Sequence, residues 1–289
     1  MQITKTFTIF AEKEPMETTE FWNSYEQFKR EMKAGDTNAA RHTLYRMTQL
    51  YPHITDNDLM GNKAIIHCAL ALDRIIVNFN LAYFVPYAMR LADSDWEGER
   101  RAGRIVPSLG QRITNRLMSN LRERPDNYIK AIMPFFRKAL QINPSNKDNL
   151  RHLAQLYARV ALKSQAAKLY KRLLQRYHDS YLYAELADLL PTPQEKIALL
   201  TQAIVHQPKE AYRVGYRYRL AQLLQMPEPR RAAYEIRKRI ATRTKAGEPI
   251  AGDVDRIARL LQDFEPVTEK EQQAFYEAQG RIADRIINQ

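Results

Sequence analysis

Three short runs recur along this chain: LAQLY at 153–157, LADLL at 186–190 and LAQLL at 220–224. Leu153 and Leu186 are 33 residues apart and Leu186 and Leu220 are 34, with Ala154, Ala187 and Ala221 at matching offsets. A period of this size constrains the fold more than any single motif. Each repeat must be one supersecondary unit that buries its apolar face against the next. Pairing leucine with alanine lets facing helices interdigitate at close range.

The second half of each unit repeats as well. FRKALQINP ends at Pro144 and LTQAIVHQP at Pro208, with Ala139 and Ala203 each five residues before the proline. Between them, YKRLLQRYH puts Leu173 and His178 in the corresponding places, and His178 follows Pro144 by 34 residues. Proline there stops a helix, because it lacks the N–H and disfavours helix in the residue before it. With 9 glycines in 289 residues and abundant Ala, Leu, Arg, Lys and Gln, the composition favours helix nearly throughout.

The unit NLRHLAQLYARVALKSQAAKLYKRLLQRYHD resembles the tetratricopeptide repeat (TPR) in spacing and pattern. Leu150, Leu153, Ala154 and Tyr157 take first-helix positions, while Ala166, Tyr170 and Leu173 take second-helix ones and His178 stands for the terminal proline. FWNSYEQFKREMKAGDTNAARHTLYRMTQLYP resembles it too, with Gly35-Asp36 at the turn, Ala40, Leu44 and Pro52 at the family spacing, and Trp22, Tyr25 and Phe28 as its apolar stripe. LLPTPQEK and LLQMPEPRR depart from the pattern by placing prolines at the turn between helices, Pro193 and Pro227 being 34 apart. Shortened helices are expected there. The resemblance covers about 20–54 and 126–245 and implies an all-α, TPR-like α-solenoid of antiparallel helix pairs with a C-terminal capping helix.

Elsewhere the pattern is helical without a clear repeat. Ile65, Cys68, Leu72 and Ile75 share one helix face. A kink or break is expected at Pro86, and GRIVPSLGQRITNRLMSNL reads as a further helix. Pro266 followed by Thr268-x-x-Glu271 is a capping-box start for a last helix, whose expected buried face is Phe275, Ala278, Ile282 and Ile286. The expected organisation is an arm over 1–17, a helix pair over 18–54, irregular pairs over 55–122, repeats over 123–265 and the capping helix over 266–289. Ile3, Phe7 and Ile9 alternate with Thr and Lys, as in a short strand or an extended arm.

Motifs for chemistry are sparse. A glycine-rich phosphate loop, a Gly-x-Ser-x-Gly elbow and a His-Glu-x-x-His helix are all absent. Cys68, the one cysteine, adjoins His67, but neighbours on a helix point about 100° apart. A buried structural thiol is expected rather than a nucleophile. DSDWEGERRAGR opens like a calcium loop yet carries Arg104 where the twelfth-position carboxylate is needed. The six histidines form no i, i+4 pair. The expectation is therefore no enzyme, no cofactor and no metal. No stretch has the ~20 apolar residues of a membrane span. MQITKTFTIFAEKEP lacks a secretory signal's apolar core and cleavage site, so a cytoplasmic location is expected.

What remains is surface for binding. The family resemblance implies that first helices line a concave groove, whose positions here are Arg151, Gln155, Arg159, Tyr181, Asp188, Tyr218, Arg219 and Gln222. Arginines suit carboxylates and tyrosines give flat contact area. TPR domains that clamp acidic C-termini use Lys and Asn at fixed groove positions. Arg151 and Gln155 are loose equivalents, and Asp188 repels a carboxylate.

Charge adds a second possibility. Residues 1–100 hold 11 Lys/Arg against 14 Asp/Glu, whereas 101–289 hold 34 against 19. The densest stretch contains Arg213, Arg217, Arg230, Arg231, Arg237, Lys238, Arg239 and Arg243, interleaved with tyrosines. Two functions follow as expectations: a non-catalytic scaffold holding a peptide or acidic protein partner in the groove, or RNA or DNA binding by the basic C-terminal half. Against the second, Arg237, Lys238 and Arg239 are consecutive and fan around a helix.

Overall fold

The computed structural model describes residues 14–51, 59–101, 104–119 and 121–289. The expected arm residues Ile3, Phe7 and Ile9, together with Pro52, lie outside them. The chain divides into two compact units, Met1–Pro144 and Ser145–Gln289.

In the first unit α1 (Glu14–Ala34) and α2 (Thr37–Leu50) form the hairpin foreseen around Gly35-Asp36. Gly35 takes φ +79°, a conformation glycine adopts at little cost, and the Asp36 carboxylate caps α2 by accepting the Ala39 N–H at 2.9 Å. Phe21 and Phe28 of α1 and Ala40, Leu44 and Met47 of α2 are buried. The α1 stripe is thus Phe21, Ser24 and Phe28; Trp22 and Tyr25, expected there, are only partly buried.

Helix α3 (Leu59–Asp73) buries Ile65, Cys68 and Leu72 against α2, but it ends before Ile75, which is 57% exposed. A 3-10 turn over Leu81–Phe84 leads into the short α4 (Val85–Ala88), with Pro86 in its first turn, so the chain breaks there rather than kinks. Strands β1 (Glu99–Arg101) and β2 (Arg104–Val106) pair antiparallel, so the helix expected from Gly103 begins only at α5 (Leu109–Leu117). Helix α6 (Asp126–Ile142) packs on α4 and α5 through a face that includes Ile129, Ile132, Phe135 and Phe136.

The second unit is regular. Helices α7 (Lys147–Arg159) and α8 (Lys163–Leu174), α9 (Ser180–Ala187) and α10 (Pro193–Val205), and α11 (Glu210–Leu224) and α12 (Pro229–Lys245) make three successive pairs. Each helix packs on the next in sequence. The seam read from the repeat is buried throughout: Leu153 and Ala154, Leu186 and Ala187, and Leu220 and Ala221 are at most 5% exposed. Ala166, Tyr170 and Leu173 of α8 are buried with them, as is Ala203 of α10. This is a TPR-like α-solenoid.

Of the helices expected to be short, only α9 is, with 8 residues; α11 has 15 and α12 has 17. Pro193 and Pro229 open α10 and α12 in the first turn, where the missing N–H has no helical partner to lose. After α13 (Gly252–Leu260) comes α14 (Glu269–Asn288), opened by the expected Thr268/Glu271 capping box. It lies along the second helices, mainly α10 with contacts to α8, and covers their apolar surface. Its buried face is Gln272, Phe275, Tyr276, Gln279, Ala283, Ile286 and Ile287, so Ala278 and Ile282 sit at the margin.

Candidate binding face

The first helices α7, α9 and α11 bring several of the expected groove residues together, and their charges are already used. Arg151 donates to both oxygens of Glu185, at 3.0 and 2.6 Å. Gln155 donates to the same carboxylate at 3.1 Å. Tyr181 lies under Arg151 at 4.4 Å and Lys147 at 5.5 Å from its ring centre. The hydrogen bond to Glu185 holds Arg151 more firmly protonated than a free guanidinium.

One step along, Arg219 pairs with Asp188 and donates to the Ala184 carbonyl at 3.4 Å. Lys147 and Asp179 pair at 2.5 Å. The partners in these pairs are 34, 31 and 32 residues apart, close to one repeat. Glu185, which escaped sequence reasoning, carries the legible signal: an acid one period beyond a base on the same helix face.

Three groove positions stand apart. Arg159 is exposed in the last turn of α7, and Gln222 is exposed on α11. Tyr218 turns toward α12 and α13, with Arg239 5.0 Å over its ring and a hydrogen bond to Asp253 that holds that carboxyl below its usual range.

The basic stretch is largely engaged with protein groups. Arg217 is a correction to the expected surface: it is 4% exposed and donates to Glu235 at 2.6 Å, Glu210 at 2.8 Å and Tyr276 at 3.3 Å. Glu235 is fully buried and also accepts from Gln272 at 2.7 Å and from Tyr276. A buried charge requires this degree of pairing. The network joins α11, α12 and α14.

Neighbouring cations clamp the chain between α12 and α14. Arg230 donates to the Glu265 carbonyl at 3.0 Å, Arg231 to the Glu271 carbonyl at 3.0 Å and Arg237 to the Phe264 carbonyl at 3.5 Å. Lys238 meets Glu269 at 2.8 Å. Arg213 donates to the Gln207 carbonyl at 2.6 Å and to Glu210 at 3.1 Å. Arg239 bonds the Val214 carbonyl and Arg243 pairs with Glu248.

Among titrating groups, burial pushes the Cys68 thiol up, which makes it a poor nucleophile. Burial pulls His152 down to about 4. His206, stacked on Tyr183 and His178 at 5.1 and 5.4 Å, is lowered by burial and by His178. Among the described residues no group of His, Cys, Asp and Glu is placed to hold a metal. None of the described helices is long and apolar enough to cross a membrane.

A family profile described as "Domain of unknown function (DUF7017)" matches residues 152–283, a span running from α7 into α14. No curated protein matches the chain. A thermophilic TPR protein of Thermus thermophilus, TTC0263, is similar at 16% identity and a TM-score of 0.39, over 71% of this chain and 100% of that one. A chain from the computational design of self-assembling cyclic protein homooligomers is similar at 13% identity and a TM-score of 0.13, over 94% of each. Both scores are low, and the fold class stands on the helix pairs described above.

Proposed function

We propose that this chain is a non-catalytic helical-repeat scaffold that holds a peptide segment of a protein partner along the face of α7, α9 and α11. One observation supports it above all. Arg151, Gln155, Tyr181, Glu185, Asp188 and Arg219 sit on consecutive first helices and fix one another by hydrogen bonds and ring contacts. A face ordered in advance loses little side-chain entropy when it binds. With Arg151 and Arg219 already paired to acids, this face suits a peptide of mixed polarity better than a strongly acidic one. Nucleic-acid binding is the weaker reading, because most of the basic stretch is committed to carbonyls and carboxylates.

Peptide arrays probed with the full chain test this. A set of bound peptides is expected, with binding lost in Tyr181→Ala at unchanged helicity. Blank arrays, alongside saturable, steeply salt-dependent binding of a labelled 20-nucleotide RNA or DNA, reverse the order of the two readings.

A further inference from the structure

One cation of the basic stretch, Arg239, keeps a buried donor without a partner. Between the C-terminal half of α12 and the start of α13, the link through Pro249 and Ile250 leaves a recess of about 170 Å³. That is of the order of the ~150 Å³ cavities that admit a benzene ring. Ile240, Ile250 and Val254 make it apolar, and Ile250 is 42% exposed at its edge.

Arg239 and Arg243 stand over this recess one helical turn apart. The Arg239 Nε is buried with no hydrogen-bond partner, although another of its nitrogens reaches the Val214 carbonyl. A buried donor without a partner carries a desolvation cost that an incoming acceptor removes. Burial and the neighbouring charge of Arg243 work against the Arg239 cation, and Asp253 and Tyr218 offset them only in part, so an anion here would favour it further. Residues 237–259 hold seven Lys/Arg against three Asp/Glu, and all three acids are engaged, Glu248 with Arg243, Asp253 with Tyr218 and Asp255 with Arg259 at 2.5 Å, which leaves an excess of positive charge around Arg239.

We infer that this recess is an anchor pocket for an acidic peptide, taking one apolar side chain onto Ile240, Ile250 and Val254 and an adjacent carboxylate onto Arg239, with Arg243 beside it held by Glu248. The pocket lies between a second helix and the first helix that follows it, apart from the face of α7, α9 and α11. The inference rests on the partner-binding reading and adds what that face lacks, a place for acid. Carboxylate on guanidinium supplies directed, charge-assisted hydrogen bonds, and the apolar floor selects acid next to a hydrophobe over acid alone.

The test uses a fluorescein-labelled nonapeptide with one central leucine flanked on each side by two aspartates, titrated into the full chain by polarisation. Saturable binding is expected, weakened about tenfold or more by Arg239→Ala, by Ile250→Ser and by leucine-to-serine replacement in the peptide. Tyr181→Ala, which alters the face of α7, α9 and α11, should leave it unchanged. Ile250 is exposed enough that its variant folds even if Arg239→Ala does not. The pocket is overturned if the probe fails to bind wild-type protein, if the serine peptide binds equally well, or if Ile250→Ser binds like wild type. Failure of the partner-binding reading is a different result, a peptide array left blank.

Discussion

The two units solve the same problem, holding helices together, in different ways. In the second, a tie made once is made again about one period later: Lys147 to Asp179, Arg151 to Glu185, and Asp188 to Arg219. In the first, ties are individual and fasten irregular turns. Arg116 reaches the Asp73 carbonyl at 2.8 Å, and Lys138 reaches the Leu91 carbonyl at 3.3 Å. Where helices repeat at fixed spacing, side chains can satisfy one another across the repeat. Where the chain bends through 3-10 turns and a two-stranded ribbon, exposed carbonyls must be capped one at a time.

The largest effect that can break this comparison lies at the network joining α14 to the repeats. Glu235→Ala removes the buried carboxylate partner of Arg217, leaving it only that of Glu210 at the surface, and is expected to cost about 3 kcal/mol. Amide exchange should accelerate over 210–288 while 14–117 keeps its protection. Arg217→Met/Glu235→Leu, which removes both charges, should recover most of the loss. Equal acceleration in both units would contradict the division between them.

The first unit has its own sensitive point. A Cβ on Gly110 would stand 2.2 Å from the Trp96 ring, so Gly110→Ala must displace that ring from Phe135, 5.0 Å away. We expect a loss of about 2 kcal/mol, seen as a lower denaturant midpoint for the first unit alone. Unchanged tryptophan fluorescence and stability would show that Trp96 is not held there.

Acidification sharpens the contrast from another side. His152 binds its proton less readily folded, at about 4, than unfolded, at about 6.5, because of burial. The unfolded state therefore takes the proton first. Stability from this group is complete above pH 6.5, falls as pH drops toward 4, and levels below that. The slope is about 1.4 kcal/mol per pH unit for one such group. His206 in the second unit and His67 in the first have the same sign, so the second unit should lose stability faster on acidification. His152→Gln should flatten that slope in denaturant titrations between pH 7 and 4.5.

The fold of the second unit was legible because its period fixes the seam between first helices: Leu153, Leu186 and Leu220 recur at a spacing that chance does not sustain, and all three are buried. Ile75 and the stretch after Gly103 were misread, because apolar periodicity does not say where a helix stops. The candidate face was half legible. Arg151 and Tyr181 could be placed by repeat position, but whether Arg151 faces a ligand or Glu185 depends on the separation of two helices, which no local pattern encodes. Arg217 was misplaced for a related reason. Its partners Glu235 and Tyr276 lie 18 and 59 residues away and meet it only through packing.

The account turns on the first-helix charges being bonded to one another across repeats. A double-mutant cycle of Arg151→Ala and Glu185→Ala, read by denaturant unfolding of the full chain, measures that directly. A coupling of about 0.5–1 kcal/mol is predicted, with the swap Arg151→Glu/Glu185→Arg retaining most of the stability that Arg151→Glu alone loses. Strictly additive losses, with the swap no better than the single change, would contradict it.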